Sequence, residues 1–101
     1  MLVGVVFTEN TQMQFKGVAD YRIMESQDSI ICAVICLPVA TRSERNQILE
    51  EVAKKINQES GKEVYVSADL DVYCDLGRDN QDYETIISKV RQRNCVVVRS
   101  N

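Results

Sequence analysis

Asp69, Asp71, Asp75, Asp79 and Asp82 put five carboxylates into fourteen consecutive positions, the densest polar grouping in the chain. Oxygen ligands crowded in this way could hold a hard cation such as calcium or magnesium. The grouping does not follow the calcium-loop template. Counted from Asp69, that loop would need an oxygen-bearing side chain at Tyr73, a glycine at Cys74 and an acid at Asn80. Each acid also has a local explanation, Asp69 and Asp79 as helix caps, Asp71 and Asp82 in first helical turns where the dipole favours anions. Asp69, Asp71 and Asp75 are the candidate cation ligands. Asp69 and Asp71, at the carboxyl end of a strand, are the pair that acid–base chemistry would use, but nothing beside them supplies an electrophile.

Nucleophilic chemistry has less to work with. The chain has no histidine, so the imidazole of serine and cysteine triads and the commonest metal ligand are both absent. Ser67 lies at a strand end without a G-x-S-x-G elbow around it. Cys32, Cys36, Cys74 and Cys95 form no C-x-x-C pair. Cys32, Cys36 and Cys95 lie in apolar stretches where free cysteine packs as a small hydrophobe, which suits a reducing compartment. On a strand, Cys32 and Cys36 would share a face about 13 Å apart at ~3.3 Å per residue, too far for a disulfide. Cys74, beside the acids, is expected to be exposed. Gly4, Gly17, Gly61 and Gly77 are scattered and build neither a phosphate loop nor a dinucleotide fingerprint, so no cofactor is expected.

Twelve basic against fifteen acidic residues give a net charge of -3, and the pI is near 4.9, which argues against a general grip on nucleic acid or anionic lipid. The aromatics Phe7, Phe15, Tyr21, Tyr65, Tyr73 and Tyr83 lack the basic surround of a base-stacking platform. No apolar run reaches the ~18 residues of a membrane span. The start carries no basic flank, so it does not read as a signal peptide. The expected compartment is the cytoplasm, or the cell envelope if an export segment precedes Met1. At 101 residues, 45% apolar and 27% charged, residues 1–101 are one small globular domain.

The elements that must position these side chains follow from periodicity. Positions 2–37 read as three extended runs: residues 2–8, then 14–24 with Gly17 hinting at a bulge, then 29–37, closed by Pro38. The continuous apolar character of the third run suggests a central strand with both faces covered. From Thr41 the period becomes helical. Thr41 and Glu44 spell a capping box, Ile48, Leu49, Val52, Ala53 and Ile56 form one apolar stripe, and Gly61 supplies the stop, giving a helix over 43–59. Residues 62–67 alternate as a strand. Residues 69–76 fit either a short helix or a continuing strand, with the helix preferred and Gly77 at its end. Asp79 or Asn80 caps a further helix carrying Tyr83, Ile86, Ile87 and Val90 and ending near Asn94, and residues 95–98 form a last strand. The expected fold is α+β, α/β-like in its alternation. It has a single mixed sheet of about five strands and two main helices packed on one face, in the order β-β-β-α-β-(α)-α-β, with two right-handed β-α-β crossovers.

The stretch Arg45-Asn46-Gln47-Ile48-Leu49-Glu50-Glu51-Val52-Ala53-Lys54-Lys55-Ile56, and above all Val64-Tyr65-Val66-Ser67-Ala68-Asp69, resembles the YhcN/YlaJ-type sporulation lipoprotein domain of spore-forming bacteria. The likeness spans roughly residues 29–77. It implies a non-enzymatic protein of the spore envelope or forespore membrane, acting in germination or assembly, with no catalytic residue to carry over. The chain departs from that pattern in lacking a lipid-attachment cysteine near its start, in its β-rich first segment and in its extra final strand.

Two functions are compatible with these features. The first is a non-enzymatic protein–protein interaction or assembly module, binding a protein partner or a second copy as a homodimer through an open sheet face or edge. Tyr65, Ser67, Asp69 and Tyr73 are then the residues expected to meet the partner. The alternative is a small-molecule or divalent-cation-binding regulatory domain built on the acidic segment 69–82, with Ser67, Asp69, Asp71 and Asp75 as contacts.

Overall fold

The computed structural model describes residues 15–38, 41–78 and 82–99. Strands β1 (Val18–Glu25) and β2 (Ser29–Cys36) form an antiparallel pair. Ser26 closes the turn between them: its hydroxyl accepts from the backbone N–H of Asp28 at 3.3 Å and of Ser29 at 3.1 Å. Gly17 enters β1 with φ 85°, and the strand register shifts between Val18 and Asp20, so the irregularity expected at Gly17 falls on the residues that follow it.

Helix α1 (Arg42–Ser60) begins where the capping box places it. The Thr41 N–H donates to the Glu44 carboxylate at 3.0 Å and the Glu44 N–H to the Thr41 hydroxyl at 3.2 Å. It ends at Gly61, whose φ of 71° lets its N–H reach the Asn57 carbonyl at 2.8 Å. Strand β3 (Glu63–Ser67) then lies parallel to β2. The ambiguous stretch after it is a helix, α2 (Leu70–Leu76). Helix α3 (Tyr83–Gln92) and strand β4 (Val96–Val98) complete the order β1-β2-β3-β4 across one sheet.

The sheet has four strands among the described residues, and the run 2–8, expected as a further strand, lies outside them. Three expectations change. The helices do not share one face. Leu49, Val52, Ala53 and Ile56 of α1 pack on Ile30, Cys32, Val34, Val64 and Val66, whereas Val72, Leu76, Ile86, Ile87 and Val90 of α2 and α3 pack on Ile31, Ala33 and Tyr65. The cause lies in β2 and β3. Ile30 to Val34 and Val64 to Val66 are buried without a break, and a strand apolar on both faces needs a covering layer on each. Among the described residues only β2-α1-β3 joins parallel neighbours; β4 runs antiparallel to β3, because two helices between the strands return the chain to the end from which it left. Finally, the cap of α3 is Asp82, whose carboxylate accepts from the Thr85 N–H at 3.3 Å; positions 79 and 80 lie outside the described residues.

Candidate functional site

The carboxyl ends of β2 and β3 lie side by side, yet the chain leaving β2 turns into α1 on one face and the chain leaving β3 turns into α2 on the other. Such a divergence opens a crevice beyond the strand ends, where open α/β sheets bind ligands. Here it is a cleft of about 840 Å³, lined by Arg42, Arg45 and Asn46 from α1, Asp69 after β3, and Arg93 and Asn94 ahead of β4. A smaller, more apolar depression of about 250 Å³ adjoins it, lined by Ile35, Leu37, Pro38 and Leu70 and sharing Arg45 and Ala68.

Asp69 is the best-determined side chain of the site. Its Oδ1 accepts from the N–H groups of Asp71 at 2.8 Å and Val72 at 3.3 Å, which caps α2. One Nη1 of Arg93 donates to both Asp69 oxygens at 2.8 Å and to Asp71 Oδ2 at 3.1 Å. The guanidinium, chiefly, and the two backbone donors hold the Asp69 carboxyl below its ordinary value. Asp75 belongs elsewhere, paired with Lys89 at 2.7 Å and, more loosely, with Arg78 at 3.7 Å. Among the described residues no three Asp, Glu or Cys side chains gather where they could hold a metal ion. Asp69 and Asp71 meet through an arginine, and Asp75 is separate.

The residues expected to face a partner divide into two kinds. Ser67 is fully buried, its hydroxyl accepting from the Asp69 N–H at 3.0 Å, and shapes the turn into α2. Tyr65 is 4% exposed beneath α3, its hydroxyl bonded to the Glu63 carboxylate and accepting from Arg91 at 3.0 Å. Neither offers a surface to a partner. Asp69 and Tyr73 are half-buried; the Arg22 guanidinium lies 4.0 Å from the Tyr73 ring centroid, and the Tyr73 hydroxyl donates to Asp20.

No family model, curated protein or solved structure matches this chain at a significant level. Among the described residues no helix is long and apolar enough to cross a membrane.

Sequence reasoning looked to the acids and missed the arginines. Arg42 and Arg45, three apart on one helical face immediately after a strand and its loop, carried the signal. Among the described residues neither lies within ion-pair distance of a carboxylate, whereas Arg93 is engaged by Asp69 and Asp71. A guanidinium is always charged and presents a planar fork of donors that matches an oxyanion, so this end of the sheet is equipped to recognise an acid group.

Proposed function

We propose that this domain is a non-enzymatic assembly module that pairs with a second copy of itself, or with an extended segment of a protein partner, along the outer edge of β4. The observation that supports this reading is the closure of both faces: α1 covers one and α2 with α3 the other, leaving, among the described residues, the edges of β1 and β4 as the places where sheet backbone meets its surroundings. The edges differ in character. β1 carries Asp20, Arg22 and Glu25 and a register shift, features that discourage further pairing. β4 is three valines, with Val97 38% exposed, and is paired along its β3 side. Strand addition draws affinity from main-chain hydrogen bonds and selectivity from alternate side chains. The likeness of residues 29–77 to the YhcN/YlaJ-type domain would site such assembly in the spore envelope.

Light scattering over a wide concentration range tests this directly. The mass is expected to rise from monomer toward dimer with concentration, and Val97→Lys to hold it at monomer. A monomer at every concentration, with or without that substitution, sinks the self-association reading.

A second reading, a small-molecule-binding regulatory domain, is favoured by the arginine-lined cleft. Its cation-binding form loses support because Asp69, Asp71 and Asp75 each already face a basic side chain.

A further inference from the structure

We propose that the cleft at the carboxyl ends of β2 and β3 binds a small amphiphilic carboxylate, its acid group held by Arg42 and Arg45 and its hydrocarbon body lying over Leu37 and Leu70. The inference rests on the regulatory-domain reading and is independent of pairing at β4.

Three observations converge on it. The first is charge. The chain as a whole is acidic, at -3, yet Arg42, Arg45 and Arg93 are brought to one cleft. Arg93 is spent on Asp69 and Asp71. The lining itself carries Arg42, Arg45 and Arg93 against the carboxylates of Glu50 and Asp69, an excess of one positive charge that suits a monoanion, with Asp71 outside the lining. The α1 helix end does not supply the binding groups, because its capping box already engages Thr41 and Glu44; the guanidinium forks do.

The second observation is apolar exposure. Three large hydrophobic side chains are exposed among the described residues, and two of them, Leu37 at 43% and Leu70 at 64%, line the depression beside the arginines. Leu70 is the first residue of α2 and buries little of itself in its own fold. A ligand body resting on Leu37, Pro38 and Leu70 would remove that surface from water.

The third observation is continuity. Arg45 and Ala68 line both the polar cleft and the apolar depression, so a single molecule can touch both. A volume of about 840 Å³ is that of an ordinary small-molecule site. An inorganic anion would use the arginines and leave the leucines bare; a neutral hydrocarbon would do the reverse.

Octanoate is the probe, titrated into the isotope-labelled full chain and followed by amide chemical shifts. Saturable shifts are expected at residues 35–37, 42–46, 68–70 and 93–96. Acetate, which has the head without the tail, octanol, which has the tail without the head, and inorganic phosphate should each bind at least about tenfold more weakly. Arg45→Gln and Leu70→Ser should each weaken octanoate binding by a similar factor while leaving the urea midpoint in place, since both side chains are exposed. Lys55→Gln, remote from the cleft, should change nothing. The proposal is overturned if phosphate or acetate binds as tightly as octanoate, if octanol does, if the shifts fall elsewhere, or if both cleft variants bind octanoate as the native chain does. Neither Arg45→Gln nor Leu70→Ser touches β4, so a failure here leaves the dimer test standing.

Discussion

The guanidinium of Arg22 occupies the space that a β-carbon on Gly77 would need, with Nη1 2.0 Å and Cζ 2.5 Å from the position of that atom. Arg22 is held there by the Tyr73 carbonyl, 2.9 Å from Nη1, and by the Tyr73 ring. β1 is thereby tied to the end of α2, two elements that are far apart in the chain.

Gly77→Ala is expected to expel Arg22 and, through the lost hydrogen bond and ring contact of that side chain, to destabilise the fold by about 1 kcal/mol, measured by urea denaturation. The backbone of Gly77, at φ -87°, is open to any residue, so the cost is steric alone. In an Arg22→Ala background the same substitution should therefore become neutral or mildly stabilising. An undiminished cost in that background would disprove the relationship.

Gly17 should tolerate substitution less well than Gly61. A β-carbon at Gly17 would come within 2.6 Å of Ile48 Cδ1 at a φ of 85°, whereas at Gly61 the space is open and only the φ of 71° resists. Gly61→Ala is expected to cost about 1 kcal/mol and Gly17→Ala more than that, by the same denaturation measurement.

Asp69 has a pH signature. Its folded pKa lies below the ordinary 3.8, chiefly through the Arg93 hydrogen bonds. The stability this confers is complete above the unfolded value and is lost as the pH falls through the lower, folded one. Asp20, lowered mainly by Tyr73, acts in the same direction. Thermal unfolding followed from neutral pH downward should show stability declining below about pH 4, with a shallower decline in Asp69→Asn. An unchanged slope in that variant would mean that Arg93 does not favour the ionised form.

The four thiols should react in an order set by burial. Cys74 is exposed and should be alkylated first in the native protein. Cys36 and Cys95, half-buried with their pKa raised by burial, should follow slowly, and Cys32, fully buried and raised further, only on unfolding. Mass spectrometry after timed alkylation reads this order, and early modification of Cys32 would contradict the placement of β2.

Local signals carried much of the fold. Thr41 and Glu44 opened α1 and Gly61 closed it, and the stripe from Leu49 to Ile56 faces the core as its spacing required. The unbroken run of β2 announced burial on both sides, yet the helices were still expected on one face. Which side a helix takes depends on where the chain leaves a strand, and periodicity along one element does not record that. The orientation of β4 was misread for a similar reason: it depends on α2 and α3 acting as a returning pair.

The site was less legible than the scaffold. Asp69 was recognised as a cap, but its partner Arg93 lies 24 positions away, and nothing local links them. Tyr65 and Ser67 were expected to meet a partner, but α2 and α3 pack on the face of the sheet that carries Tyr65 and bury it. By itself, the order of residues determined where helices and strands start, which side chains are apolar enough to be buried, and that imidazole chemistry is absent. Tertiary structure alone decided which acids are neutralised, which arginines are left uncompensated and that two leucines remain uncovered. Those outcomes depend on distances between segments that meet only when the sheet closes.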